Sequence, residues 1–337
     1  MQVEAPFGFV VIDKPAGLTS HDCVSRMRRV FGLKRVGHGG TLDPAVTGVL
    51  PIALGHATRL LPYLPGAKSY RGSIQLGQRT SSDDQQGDLI SKQAWPELDT
   101  AEIETYLEPF RGTIQQRPPQ VSAVHVQGER AHARARRGET MEIPARTITI
   151  ERLQLLSWNQ QLGQLDFNVD CSSGTYIRSL ARDLGELIGC GGCLGWLKRT
   201  QALGFHEQQA VPLPDRDNPS LTTPPAVLEP LTALAHLPRL QLNEEEQESW
   251  RCGRRITAHQ DQCQPAPKPL ASDQQESAPI ETEASENEAS DNETGESKPS
   301  ESKPMLVVIG CRGEVAGMAY WEDSSTVKPK VVFNARG

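Results

Sequence analysis

The sequence predicts an α+β fold, and three observations lead to that expectation. Segments with the period of half-buried strands and segments with helical spacing both occur in the N-terminal part of the chain. They lack the regular strand–helix alternation of a doubly wound sheet, so we expect a mixed, largely antiparallel sheet. The length of 337 residues suits about two domains, and a hydrophobic content of 37% supports buried cores.

The first predicted elements are a strand, a turn and a helix. Phe7–Ile12 is an apolar run of strand length. Thr19, followed three residues later by Asp22, has the spacing of a helix capping box. Apolar residues then recur at helical spacing, and Gly32 is placed to end the helix. The recurring residues are Val24, Met27, Val30 and Phe31.

Three more strands and one helix follow from the same patterns. Residues 70–76 and 165–171 alternate between apolar and polar side chains, as half-buried strands do. Thr147–Leu156 is another strand candidate. Within Thr175–Ile188 the apolar residues have helical spacing, which predicts a core-facing helix. These residues are Ile177, Leu180, Leu184 and Leu187.

Composition divides the rest of the chain. Residues 260–304 are rich in Glu, Ser and Pro and have almost no large apolar residue, so we expect a disordered insertion. Residues 271–304 contain ten acidic residues and two lysines, which is a net charge of −8, whereas the whole chain has a net charge of −7. The remaining chain is therefore close to neutral, and the acidic balance does not exclude a nucleic-acid partner.

Composition and sequence patterns exclude a membrane protein, a secreted miniprotein and a wholly disordered chain. The mean hydropathy is −0.47, and no apolar run approaches the roughly 20 residues that a membrane span needs. The N-terminus lacks the pattern of a secretory signal, so we expect a cytoplasmic protein. Seven scattered cysteines argue against a disulfide scaffold. Cys190 and Cys193 have the spacing of half a zinc site, but no second pair follows at zinc-finger distance.

The densest candidate site is the segment 37–44, with the sequence GHGGTLDP. Its glycines let the backbone come close to a ligand. Pro44 disfavours a helical conformation at Asp43, so the Asp43 carboxylate is expected to project from a loop. The alternative is that Asp43 only initiates a turn.

Basic residues flank this loop on both sides in sequence. Lys14 precedes a turn and a helix start, where a phosphate could bind, although a solvated turn is the simpler interpretation. The stretch Arg111–Arg137 is rich in arginine and could be an exposed arm for a polyanion, or else a solvated helix. Arg178 lies at the start of a helix and could pair with Asp43 and hold it ionised, or belong to a surface charge array.

In this order, the segments resemble the bacterial tRNA pseudouridine-55 synthases, the TruB family. The resemblance covers about residues 7–205, and Pro238–Ile256 with Met305–Asn334 more weakly resembles a PUA-type RNA-binding barrel. The motifs are Lys14–Ser20, Gly37–Pro51, Lys68–Arg71, Gly77–Gly87, Gln116–Gly138, Cys171–Arg178 and Leu197–Arg199.

The resemblance implies a fold and a division of the chain. The core is a mixed, largely antiparallel sheet of the pseudouridine synthase type, followed by a small PUA-like β-barrel. The catalytic domain spans 1–210, with an RNA-binding arm at 111–145. A linker spans 211–237, and the PUA-like domain spans 238–337 with the acidic insertion 260–304 inside it.

The resemblance also implies an activity and its residues. The enzyme isomerises a T-loop uridine of tRNA, acting as a monomer without metal, nucleotide or redox cofactor, membrane or obligate protein partner. Asp43 is the catalytic carboxylate, Arg178 pairs with it, and Tyr70 stacks on the target uracil and acts in a late deprotonation. The substrate-binding set is His38, Tyr176, Leu197, Lys14, Gly40 and Thr41.

The chain departs from the family pattern at four positions, which bear on RNA contacts and leave Asp43, Tyr70 and Arg178 in place. They are Val46, Ser81, His125 and His132. Two other classes remain open: a non-catalytic RNA-binding or RNA-folding protein, and a glycosidase or base-removing enzyme. One carboxylate is enough for the isomerisation if the detached base is itself the later nucleophile. A covalent sugar adduct and a glycal route both remain open.

Overall fold

A computed structural model describes residues 6–122, 124–126, 128–215, 224–259, 262–266 and 304–335. The chain forms two compact units, Met1–Ala233 and Leu234–Gly337. Both contain strands and helices, so the predicted α+β class is confirmed. Within the described ranges, no helix is long and apolar enough to cross a membrane.

The first unit contains the strands β1 (Gly8–Lys14), β2 (Val36–His38), β3 (Thr47–Leu54), β4 (Lys68–Leu76), β5 (Gln78–Thr80), β6 (Leu89–Lys92), β7 (Gly112–Gln116), β8 (His125–Val126), β9 (Glu129–Arg130), β10 (Arg146–Asn159), β11 (Gln164–Cys171), β12 (Gly192–Ala202), β13 (Phe205–His206) and β14 (Val211–Pro212). Its helices are α1 (Ser20–Phe31), α2 (Thr100–Leu107), α3 (Ala131–Ala135), α4 (Ile177–Ile188) and α5 (Pro230–Ala233), with 3₁₀ turns at Gly55–Arg59, Leu61–Tyr63, Glu108–Phe110 and Glu207–Gln209.

Ten of these strands form one sheet with the order β14-β1-β3-β12-β4-β11-β10-β7, to which β2 and β13 are added at β3 and β12. Most neighbours are antiparallel, while β1–β14 and β3–β12 are parallel. The predicted mixed, largely antiparallel sheet is therefore confirmed. Gly48 makes the β3–β12 contact possible, because a Cβ there would lie 2.2 Å from the Arg199 carbonyl oxygen.

Helices α1 and α4 pack their apolar sides against one core with strands β3, β4, β11 and β12. At α1 the predicted capping box is present, and Gly32 ends the helix in the left-handed conformation. At α4 three of the four predicted core residues are buried, whereas Leu187 is 49% exposed in the last turn. The spacing of Leu187 was helical, but α4 ends one residue later and its last turn lies outside the core.

Two described parts of the segment predicted as a linker, 211–237, pair with strand β1 of the first unit. β14 pairs with β1, and Leu228 exchanges two backbone hydrogen bonds with Phe9, at 2.9 and 2.7 Å. The Pro-rich composition predicted a break between domains, and the pairing at Pro212 is compatible with that composition because proline is tolerated in an edge strand.

The second unit contains β15 (Arg239–Gln241), α6 (Glu244–Arg251), β16 (Ile256–Thr257), β17 (Cys263–Gln264), β18 (Met305–Ile309), β19 (Val315–Trp321) and β20 (Thr326–Val332). The strands form one sheet in the order β16-β20-β19-β18-β15-β17, around a core that contains the fully buried Trp250. Strand β17 falls inside the segment predicted as a disordered insertion, where its two residues pair with β15. Residues 267–303 of that insertion lie outside the described residues.

Candidate active site

A cavity of about 740 Å³ lies where α1, α4, β4, β12 and the loop between β2 and β3 meet. We call it the Asp43 cavity. It brings together most of the site residues predicted from the sequence, although they are spread over more than 150 positions. The predicted residues that line it are His38, Thr41, Asp43, Tyr70, Tyr176, Arg178 and Leu197.

The loop that carries Asp43 is held on both sides through its backbone. Before Asp43, the buried hydroxyl of Ser20 accepts a hydrogen bond from the Leu42 N–H at 2.9 Å and contacts the Leu42 carbonyl at 3.3 Å. After Asp43, the Pro44 carbonyl accepts the Gly17 N–H at 2.8 Å. The Asp43 carbonyl itself accepts the Val46 N–H at 3.0 Å, so Asp43 does begin a turn. Its side chain remains 45% exposed to the cavity.

Lys14 supports the same loop and does not face the substrate space. The residue is fully buried, and its ammonium donates to the carbonyl oxygens of Pro15 and Pro44 at 2.9 and 3.1 Å. Burial lowers the pKa of Lys14. The predicted substrate-binding role of Lys14 is therefore corrected: a lysine in a turn before a helix resembled a phosphate site, but its stem turns inward.

Arg178 joins three segments at the wall of the cavity. Its Nε atom lies 3.0 Å from Asp43 Oδ2, and its two terminal nitrogens donate to the carbonyl oxygens of Ser82 and Val121, each at 2.9 Å. The Arg178 side chain is only 7% exposed, which excludes the alternative of a surface charge array. A guanidinium fixed by two carbonyls presents its remaining N–H in one direction, and that direction determines where the Asp43 carboxylate lies.

Asp84 is a second carboxylate close to the ion pair of Arg178 and Asp43. Asp84 Oδ2 lies 3.7 Å from Arg178 Nε, and Asp84 Oδ1 accepts from the Ser82 hydroxyl at 2.5 Å and from the Gln86 N–H at 3.0 Å. The neighbouring Arg182 binds Asp83 at 3.0 Å. These contacts attach the loop between β5 and β6 to the N-terminal half of α4.

Tyr70 and Arg199 are direct cross-strand partners on β4 and β12. Burial raises the pKa of Tyr70 to about 12, with the positive charge of Arg199 acting in the opposite direction. Arg199 is fully buried, and its guanidinium donates to the carbonyl oxygens of Val49 and Gly40 at 2.8 and 3.1 Å. Arg199 thus connects the strand of Tyr70 with the loop of Asp43, where the Gly40 backbone lies in the left-handed region.

His38 and Thr41 also line the Asp43 cavity. Thr41 is exposed to the cavity, while His38 is half-buried at the end of β2. Burial lowers the pKa of His38, and the positive charges of Arg199 and His21 lower it further, which favours the neutral imidazole. The His38 Nδ1 atom is buried and has no hydrogen-bond partner among the described residues.

Tyr176 and Leu197 belong to the apolar part of the lining. The Tyr176 backbone is fixed by Gln116, whose amide accepts from the Tyr176 N–H at 2.8 Å and donates to its carbonyl at 3.1 Å. The Arg146 guanidinium carbon lies 5.4 Å from the Tyr176 ring centroid, within the range of a cation–π contact. Leu197 is 8% exposed on β12.

The arm, residues 111–145, contains two kinds of arginine. Arg134 and Arg137 form ion pairs with Glu139, and Arg137 also binds Glu129. Arg136 is exposed and lines the Asp43 cavity. The basic stretch is therefore partly neutralised by its own carboxylates, because Glu139, which lies just beyond the stretch in sequence, folds back onto it.

Cys190 and Cys193 are buried free thiols, and burial raises the pKa of Cys193 to about 11. Thiols of this kind are poorly reactive and behave as small apolar side chains. In the described part of the chain, no group of three or more His, Cys, Asp or Glu side chains is arranged to hold a metal ion.

Sequence reasoning did not single out Ser20, Lys68, Asp84 or Arg199, although each lies in a quoted motif. For Lys68 and Arg199, the alternation of side chains along the strand could have indicated a place in the site. Lys68 continues the alternation that places Tyr70 on the core side of β4, and Arg199 continues it from Leu197 on β12. Ser20 and Asp84 act through contacts distant in sequence, which the pattern does not reveal.

Comparison with known proteins agrees with this fold. Residues 28–177 match the N-terminal domain of the TruB family pseudouridylate synthases. The chain is 89% identical over 332 residues to a tRNA pseudouridine synthase B of Prochlorococcus marinus strain MIT 9313, covering 98% of this chain and 99% of the relative. It is 57% identical over 335 residues to the protein of that name from Parasynechococcus marenigrum strain WH8102, covering 99% and 100%.

Solved structures show the same fold at low identity. A chain of an H/ACA RNP bound to a substrate RNA containing 2′-deoxyuridine matches with a TM-score of 0.62 and 20% identity, covering 97% of this chain and 85% of that one. A chain of an archaeal box H/ACA sRNP Nop10-Cbf5 complex matches with a TM-score of 0.61 and 21% identity, covering 98% and 88%. The fold and the relatives define a pseudouridine synthase. Within that class, the chain belongs to the TruB family.

Proposed function

We propose that the protein converts the T-loop uridine at position 55 of tRNA to pseudouridine, with Asp43 as the catalytic carboxylate. The observation that carries the proposal is the contact of 3.0 Å between Asp43 Oδ2 and the buried Arg178 at the wall of the cavity. Family membership and the names of the relatives support the reaction and its tRNA substrate.

The chemistry needs one carboxylate in the position that Asp43 occupies. Cleavage of the N-glycosidic bond develops positive charge on the sugar and negative charge on the base. Asp43 can respond by attack on C1′ or by removal of the C2′ proton. The detached uracil then turns and bonds to C1′ through C5. Every atom of the substrate is kept, so the reaction balances without a co-substrate, and we assign it no metal, nucleotide or redox cofactor.

The other lining residues have roles that suit a base removed from its stack. The Tyr70 ring stacks on the target uracil, and its hydroxyl takes part in the late loss of the C5 proton. His38, which lines the cavity, contacts the T loop and holds the base in its flipped position. Tyr176 and Leu197 enclose the base, and Thr41 offers a hydroxyl at the rim. Gly40 lets the loop backbone lie against Arg199.

We extend the proposal to the setting of the reaction. The protein acts as a monomer in the cytoplasm, without an obligate protein partner. The C-terminal sheet is a PUA-like RNA-binding domain that adds to tRNA affinity. The sheet of six strands around Trp250 supports a separately packed domain of this kind.

Within the arm, Arg136 is expected to contribute more to tRNA affinity than its ion-paired neighbours. Arg136→Ala should weaken binding and lower the slope of log affinity against log salt by about one, as expected for the loss of one phosphate contact. Titrations of labelled tRNA at several salt concentrations measure both quantities. Arg152→Ala is the matched control, since Arg152 is an exposed arginine that binds Asp170 and does not line the cavity. Equal salt slopes for the two variants would contradict the assignment.

The experiment that tests the function uses the purified full chain and an unmodified tRNA transcript. Carbodiimide mapping should show one new pseudouridine, in the T loop. A transcript in which that uridine is replaced by cytidine should remain unmodified. Release of free uracil would indicate a base-removing enzyme, and binding without a product would indicate an RNA-binding protein.

A further inference from the structure

Lys68 is a charged residue of the Asp43 cavity to which the proposed reaction has so far given no role. It is the first residue of β4 and lies two positions before Tyr70, so both side chains are on the same face of the strand. Lys68 is half-buried and lines the cavity together with Asp43 and Tyr70.

The ammonium of Lys68 has no carboxylate partner. In the described ranges, no carboxylate lies within ion-pair distance of Lys68, and no hydrogen bond to an acceptor is formed. The charged neighbour that acts on its pKa is another cation, Arg199. A Cβ placed on Gly40 would lie 3.8 Å from Lys68 Cε and 3.4 Å from Arg199 Nη1, so both side chains reach the same point of the Asp43 loop.

This arrangement is unfavourable in the empty protein. A half-buried charge without a partner loses hydration and gains nothing in return. Burial lowers the pKa of Lys68, and the charge of Arg199 lowers it further. Two cations on one side of a cavity suit a ligand that carries, or develops, negative charge on that side.

The proposed reaction develops such a charge. When the bond between C1′ and N1 breaks, its electron pair stays on the uracil ring and spreads over the two carbonyl oxygens. The charge disappears when C5 uses an electron pair of the ring to bond to C1′. C5 then loses its proton and N1 gains one, which leaves the ring neutral. A cation beside Tyr70 lies where the stacked base would sit and is fixed before the charge appears.

We propose that Lys68 is a further catalytic residue, which donates a hydrogen bond to a carbonyl oxygen of the detached uracil and stabilises its negative charge. This inference rests on the proposed function, since it assumes that a uracil is cleaved in the Asp43 cavity. Lys68 keeps its own proton throughout, so its contribution is electrostatic. The alternative, a contact with an RNA phosphate, is separated by the test.

The test compares Lys68→Met, Lys68→Gln and Lys68→Arg in the full chain. Two measurements are needed: the single-turnover rate of pseudouridine formation at saturating tRNA, and the affinity for tRNA. Both neutral variants should lose a factor of about 10² to 10³ in rate, the loss typical of removing one donor to a developing anion. Their affinity should stay within about threefold, and Lys68→Arg should recover most of the rate. Lys92→Met is the control, because Lys92 is exposed on β6 and does not line the cavity.

The pH profile is a second readout that a structural role would not produce. The titratable and charged groups around Lys68 in the Asp43 cavity are Arg199 on β12, Tyr70 on β4 and Asp43 on its loop, and the Cys171 thiol on β11 is its cross-strand partner. Lys68 also lines a second cavity, whose further titratable and charged groups are Arg71, Glu151, Arg152, Asp170, His206 and Glu207. Burial raises the pKa of Tyr70 to about 12 and of Cys171 to about 11, whereas the pKa of Lys68 is lowered. The wild-type rate should therefore fall as Lys68 loses its proton at alkaline pH, and Lys68→Arg should move that fall to higher pH.

The outcomes distinguish the inference from the proposed function. If the wild-type chain forms no pseudouridine, the proposed function fails. If the wild type is active and a folded neutral variant keeps its rate within threefold, only the role of Lys68 is overturned. Lower affinity and a smaller salt slope, with an unchanged rate at saturation, would identify a phosphate contact and would also overturn it. Thermal unfolding identifies the folded variants. Two neutral side chains of different polarity are used so that the test still stands if one of the variants does not fold.

Discussion

Asp43→Asn is expected to lower the single-turnover rate of pseudouridine formation by several orders of magnitude, because the substitution removes the one carboxylate among the described residues that line the cavity. The affinity for tRNA should change little, since binding is distributed over phosphates and the shape of the T loop. The turn should survive, because the Asp43 carbonyl accepts the Val46 N–H through the main chain.

The control for this result is Asp13→Asn, at an exposed carboxylate on β1 outside the Asp43 cavity. It should keep the wild-type rate. Thermal unfolding of both variants excludes a general loss of structure. An Asp43→Asn protein within tenfold of the wild-type rate would remove the catalytic assignment. Loss of both folding and binding would instead support the interpretation that Asp43 only initiates a turn.

Changes at Tyr70 should separate the ring from the hydroxyl. Tyr70→Phe keeps the aromatic surface, so tRNA affinity should be maintained while the rate falls through loss of the hydroxyl. Tyr70→Leu should lose both, because stacking on one base is worth about 1–3 kcal/mol, or roughly five- to 150-fold in affinity. Single-turnover rates and binding titrations measured side by side distinguish the two effects.

The matched control is Tyr106→Phe, a partly buried tyrosine on α2 that packs against the same core and does not line the cavity. It should leave rate and affinity unchanged. Because burial raises the pKa of Tyr70 to about 12, the hydroxyl carries its proton in the free enzyme at neutral pH. Full activity of Tyr70→Phe would exclude any role for that hydroxyl and leave only the ring.

The sequence predicts the local elements around the site well. Alternation places β4 and β11 within two residues of their observed bounds, and the capping box at Thr19 begins α1 where the structure does. These predictions succeed because one buried face imposes a period of two on a strand and of about 3.6 on a helix. The glycines of the Asp43 loop and Pro44 likewise indicate a loop rather than a helix.

The predictions fail where the outcome depends on contacts distant in sequence. Lys14 has the charge of a phosphate ligand, yet its partner is the Pro44 carbonyl, thirty positions away. The Pro-rich segment from Val211 indicates a break between domains, and its composition does not reveal that Val211 and Pro212 pair with β1. Arg134 and Arg137 look like RNA contacts until Glu139 folds back onto them. Local composition carries no information about such partners.

The three attachments of Arg178 also limit how the protein can change over evolutionary time. One guanidinium binds Asp43, the Ser82 carbonyl and the Val121 carbonyl at the root of the arm. Substitutions at arm positions to which Arg178 does not bind, such as Arg136, leave these bonds intact, so those positions are free to adapt to different RNAs. An insertion or deletion near Val121 would instead displace the guanidinium and, with it, the carboxylate. Variation in substrate preference is therefore expected at the arm positions that Arg178 does not bind. The number of residues between β7 and Val121 is expected to stay fixed.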